Sequence, residues 1–101
     1  MHYLTQDLVF PSVSKANKDG LLAIGGDLSP ERLILAYQSG IFPWFEPGDP
    51  ILWWSPNPRM VLFFEDLVVS KSMRNILNRN TFKVTFNQDF RGVISNCQKI
   101  K

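Results

Sequence analysis

The 101-residue sequence predicts a small two-layer α+β domain, a mixed sheet with about three helices. Three observations predict it. Three stretches pair a capping residue with apolar positions spaced three or four apart, and shorter apolar or alternating runs between them read as strands. Helices and strands also follow one another without a strict βαβ repeat. Residues 1–101 fit one domain, since a chain of this size buries roughly 60 to 70% of the surface that it exposes when unfolded. A composition of 45% hydrophobic and 20% charged residues is ordinary for a folded soluble domain.

In chain order, Tyr3 to Phe10 reads as an extended edge segment and Pro11 to Asp19 as a polar loop. Gly20 to Ile24 is a short apolar stretch ending at Gly25-Gly26, where a tight turn calls for positive φ at one residue at least. Ser29 as cap, Pro30 at the first helical position and Glu31 beside the positive end of the helix dipole start a helix over Pro30 to Ser39. Arg32 takes the place that a capping box gives to Glu or Gln. Leu33, Ile34 and Tyr37 share one face, and Gly40 suits a left-handed C-terminal cap.

Five of the seven prolines fall between Ile41 and Pro58, which forbids a helix and confines any strand there to Ile51 to Ser55. Arg59 to Phe64 reads as a buried strand. Ser70 caps a second helix with a stripe of Met73, Ile76 and Leu77 and with Lys71, Arg74 and Arg79 on the opposite arc. Thr81 to Phe86 alternates as a half-buried strand would, and Asn87 then caps a third helix with Phe90, Val93, Ile94 and Cys97 on one face.

Several chemistries are disfavoured. A lone cysteine, Cys97, and a lone histidine, His2, give neither an internal disulfide nor a metal-ligand set, so neither metal nor cofactor is expected. The longest apolar run, Met60 to Phe64, is too short to cross a bilayer; with no basic leader ahead of an apolar run, the reading is a cytoplasmic protein without a membrane partner. Cys97 lies on an apolar stripe with no His to activate it, and Gly25-Gly26 lacks the Walker and dinucleotide spacings, so both read as structural. The carboxylates Asp27, Glu31, Glu46 and Asp49 have no partner that the sequence fixes, and no catalytic residue is assigned.

Two features remain. Net charge is +2, but Met1 to Pro50 carries three basic and six acidic residues, and Ile51 to Lys101 eight basic and three acidic ones. A basic second half can bind a polyanion, though many solvated surfaces look similar. Five aromatics, Phe42, Trp44, Phe45, Trp53 and Trp54, crowd a proline-rich loop. Such rings either pack a small core or stack on unpaired bases.

The run Gly20-Leu21-Leu22-Ala23-Ile24-Gly25-Gly26-Asp27-Leu28-Ser29-Pro30-Glu31-Arg32-Leu33, continued by Ala36-Tyr37-Gln38-Ser39-Gly40-Ile41-Phe42-Pro43-Trp44-Phe45, resembles the N-terminal signature of the bacterial leucyl/phenylalanyl-tRNA–protein transferases. A second block, Pro50 to Leu62 with Trp53-Trp54-Ser55-Pro56 inside it, resembles the same family, as do Ser70-Lys71-Ser72-Met73 and the Phe90 to Cys97 segment. The resemblance implies transfer of leucine or phenylalanine from aminoacyl-tRNA to acceptor proteins with N-terminal Arg or Lys, marking them for degradation. It places Trp44 at the 3′-terminal adenosine and leaves Trp53 and Trp54 as packing residues. Arg59, Lys71, Arg74 and Arg79 become candidates for tRNA phosphate contacts.

Where many members have His ahead of the Ser-Lys-Ser motif, this sequence has Val68, so no role of that His carries over. The family is about twice as long, and its acetyltransferase-like C-terminal domain, which carries the catalytic groups, is expected to be absent here. On that reading the chain alone is inactive. Two other readings stay open, a stand-alone RNA-binding module and a purely structural domain with every aromatic buried.

Overall fold

The computed structural model describes residues 2–99 and divides the chain into two compact units, Met1–Val61 and Leu62–Lys101. The first unit holds a four-stranded mixed sheet in the order β1-β2-β4-β3, formed by β1 (His2–Leu4), β2 (Leu21–Gly25), β3 (Phe42–Pro43) and β4 (Leu52–Trp54), with helix α1 (Pro30–Gln38) between β2 and β3 in the chain. The second unit holds α2 (Lys71–Asn78) and α3 (Phe90–Lys99). Three helices with a mixed sheet make this the small α+β fold that the patterning predicts.

Strand β2 is the spine of the sheet. It pairs parallel with edge strand β1, setting His2 opposite Ala23, and antiparallel with β4, setting Ala23 opposite Trp53. Ladder bonds continue past both ends of β4, from Gly25 N to Ile51 O at 2.7 Å and from Ser55 N to Gly20 O at 2.7 Å. The core is Leu22, Ala23, Ala36, Ile41 and Trp53, with Leu4, Phe10, Leu33 and Ile51 packed against it. Phe10 meets Trp53 edge-on, with ring centroids 5.0 Å apart. Trp53 is fully buried, and its indole N–H donates to Gly25 O at 2.8 Å, so the largest core ring keeps no unpaired polar atom.

Helix α1 starts as its sequence dictates: Pro30 occupies the first turn and the Ser29 hydroxyl accepts from Arg32 N at 3.3 Å. Gly40, with φ of +77°, follows the C-terminal end. The buried face differs from the expected one. Ile34 and Tyr37 are exposed, and the helix turns Ala36 and Arg32 inward with Leu33 half-buried. Ala36 joins Leu22, Ala23, Ile41 and Trp53 in the buried cluster.

Four local expectations change. Phe42–Pro43 is a strand despite its proline, because β3 lies at the sheet edge and pairs only with β4, where a missing N–H costs no ladder bond. Arg59 to Phe64 is not a buried strand; Met60 to Phe64 is exposed, and a 3₁₀ turn begins at Phe64. Thr81 to Phe86 alternates but has no strand partner among the described residues, and Phe82, Val84 and Phe86 are exposed. The cap of α3 is Asp89, whose carboxylate accepts from Gly92 N at 3.1 Å, while Asn87 sits at φ of +59° in the turn before it. Helix α2 is capped as expected, the Ser70 hydroxyl accepting from Met73 N at 3.2 Å.

Candidate functional site

The aromatic segment separates into a buried ring and a presented ring. Trp53 closes the core, whereas Trp44 is 69% exposed one residue beyond β3. Pro43 pairs with Trp53 across the ladder, so one strand pair sets the position of both. The Trp44 backbone is held twice: its N–H donates to Leu52 O at 3.0 Å, and its carbonyl accepts the Trp54 indole N–H at 2.7 Å. Its main chain is therefore fixed while its indole faces solvent.

Trp44 borders a shallow groove of about 460 Å³ lined by Tyr37, Gly40, Ile41, Phe42, Pro43 and Arg59. Tyr37, on α1, is also exposed, so two large aromatic rings stand at the groove. Arg59 donates to Gly40 O at 3.0 Å and to Pro56 O at 3.4 Å, and its guanidinium carbon lies 5.7 Å from the centre of the Phe42 ring. It ties the turn after α1 to the loop after β4. Two of the five N–H groups of an arginine are used in those bonds. A groove with aromatic walls and a fixed cation matches the chemistry of an unpaired nucleotide, whose base stacks and whose phosphate takes the charge.

Lys71, Arg74 and Arg79 belong to the second unit, the first two on α2 and Arg79 at its C-terminal cap. All three are exposed, and helical spacing sets Lys71 and Arg74 on the arc opposite Met73, Ile76 and Leu77. They form one basic face within their unit. Among the described residues no group of three or more His, Cys, Asp and Glu side chains gathers as a metal site would.

The sequence reading missed the buried charge at the start of α1. Arg32 is 1% exposed. Its guanidinium donates to Asp27 Oδ1 at 3.2 Å, to Thr5 O at 2.7 Å and to Asp7 O at 3.4 Å, and its carbon lies 5.9 Å from the Phe10 ring centre. Gly26 makes room for it, because a Cβ there would come within 3.1 Å of that guanidinium, and the φ of +77° is one that L side chains rarely adopt. Asp27 also accepts from Ser29 N at 3.1 Å. Hydrogen bonds from Ser29, then the contact with Arg32, hold the Asp27 carboxyl below its ordinary range. Gly26, Asp27, Ser29 and Arg32 thus form a brace joining the β2 turn, the helix start and the segment after β1. The incomplete capping box was the available signal: Arg at that position has to find its partners elsewhere.

Residues 26–57 match the family model described as the leucyl/phenylalanyl-tRNA protein transferase N-terminal domain, and residues 61–101 match the one described as leucyl/phenylalanyl-tRNA protein transferase. The chain belongs to the leucyl/phenylalanyl-tRNA–protein transferase family. A protein of that name from Flavobacterium johnsoniae is 69% identical over all 101 residues, which cover 48% of the relative. One from Flavobacterium psychrophilum is 67% identical over the same span and share. One from Pseudomonas aeruginosa is 55% identical over 93 residues, 90% of this chain and 41% of the relative. The chain spans about half the length of the curated relatives it matches. The brace, Trp44 and both core-side tryptophans fall within the first match, and Lys71, Arg74 and Arg79 within the second; Arg59 lies between the two.

Proposed function

We propose that the full-length protein moves leucine or phenylalanine from aminoacyl-tRNA to the α-amine of proteins beginning with Arg or Lys, in the cytoplasm, marking them for degradation. The observation that carries this reading is the anchored, exposed Trp44, in a chain of this family. The amine attacks the ester carbonyl at the tRNA 3′ end, a peptide bond forms, and the ribose oxygen leaves with a proton. Positioning of the 3′ end is the part assigned to this chain. Trp44 stacks the terminal adenine, Arg59 takes a phosphate beside the groove, and Lys71, Arg74 and Arg79 take phosphates further along the tRNA.

The groove lining holds no carboxylate or imidazole. Deprotonation of the amine and stabilisation of the oxyanion therefore need groups outside the groove, and the 101-residue chain alone is expected to be inactive. Leucine transfer from leucyl-tRNA to a peptide with N-terminal Arg tests the reading. The full-length protein transfers leucine if it holds; no transfer contradicts it.

The exposed basic face of α2 favours a second reading, a module that binds RNA by itself. It predicts that the 101-residue chain binds tRNA with an affinity falling steeply as salt rises. No binding at low salt contradicts it.

A further inference from the structure

We infer that Trp54 is a positioning residue for the nucleotide site, acting through Trp44; this rests on the stacking role given to Trp44 above. Trp44 stands one residue past edge strand β3, where the chain leaves the sheet for the turn closed by Asp49 N to Glu46 O at 3.0 Å. A ring presented from such a place is a useful platform only if its main chain is held. One hold is ordinary strand pairing, from Trp44 N to Leu52 O. The other is supplied by a side chain: the indole N–H of Trp54 reaches the Trp44 carbonyl at 2.7 Å, shorter than the usual N–H···O distance of about 2.9 Å.

The neighbouring tryptophans divide the work. The Trp53 indole N–H is spent inside the core, on Gly25 O. Trp54 is only half-buried and directs its N–H outward along β4 to the presented residue. Filling space beside Phe42, its ladder partner, needs an aromatic ring but no donor. Holding the carbonyl of Trp44 needs the N–H. A fixed main chain lowers the ordering cost of stacking, because only the two side-chain torsions of Trp44 are left to settle.

The test measures the affinity of the full-length protein for an amide-linked leucyl-adenosine analogue, in a cycle of Trp44→Ala, Trp54→Phe and the double variant. Trp54→Phe is expected to weaken binding about 3- to 10-fold, the worth of one hydrogen bond, and to change nothing further once Trp44 is alanine. An equal loss in both backgrounds, or no loss, overturns the inference and leaves the stacking role intact. No effect of Trp44→Ala alone overturns the stacking role itself, and the inference with it. If Trp54→Phe does not fold, benzothienylalanine at position 54 replaces the N–H with sulphur and keeps the ring shape; the same 3- to 10-fold loss, about one hydrogen bond, is expected.

Discussion

The two units of the chain carry similar apolar patterns and put them to different use. In Met1–Val61 the short strands, α1 and the Phe10 segment converge on Trp53, and every buried residue of the described chain lies there. In Leu62–Lys101 two helices carry well-formed apolar stripes, yet Met73, Leu77, Phe90, Val93 and Ile94 are all exposed and no described residue is buried. Amphipathic spacing fixes that a segment is helical and which face is apolar; burial requires a second surface to receive that face. Isolated helices of eight to ten residues are marginal in water without tertiary packing. The first unit should therefore set the stability measured for the chain.

The largest effect expected from this difference is at Trp53. Trp53→Ala should cost about 3 to 5 kcal/mol, a large share of the stability of a domain of this size, whereas Leu77→Ala in the second unit should leave the main urea transition in place. Comparable losses at the two positions would show that the second unit has a core of its own.

A smaller loss is expected at the brace. Arg32→Met removes the donors to Thr5 O and Asp27 and should cost about 1 to 3 kcal/mol by urea unfolding. Because the Asp27 carboxyl is held below its ordinary value of 3.8, its contribution is complete above that value and is lost as pH falls through the lowered one. The wild-type melting temperature should accordingly fall more steeply than that of Asp27→Asn as pH drops below 3.8. Parallel curves would remove Asp27 from the brace.

The smallest contrast uses one substitution in both units. Ser29 and Ser70 make the same cap, so Ser29→Ala should lower stability by about 1 kcal/mol, while Ser70→Ala should only reduce helicity by circular dichroism. Equal shifts of the unfolding midpoint would again join the two units in one cooperative fold.

The parts of the fold legible in the sequence are those set by local chemistry. Ser29-Pro30 starts α1, Gly40 follows its end, and Ser70 starts α2. Strand β4 lies where proline leaves room for it. Illegible parts depend on a partner. The alternation of Thr81 to Phe86 is as regular as a strand requires, but a strand exists only against a neighbour. Pro43 excludes an interior strand and not an edge, and the sequence does not say which strand is at the edge. Arg32 is a surface residue by composition and a buried one by geometry, because Gly26 and the carbonyls of Thr5 and Asp7 surround it. Of the candidate site, Trp44 was legible through its motif. The groove with Tyr37 and Arg59 needed the helix and the β4 loop brought together.

On the proposed function Trp44 binds and does not pack. Affinity of the full-length protein for the leucyl-adenosine analogue should fall about 5- to 150-fold in Trp44→Ala, the worth of one stacked base, and less in Trp44→Phe, with the melting temperature unchanged in both. Unchanged affinity with a lowered melting temperature would show that Trp44 supports the fold and does not bind.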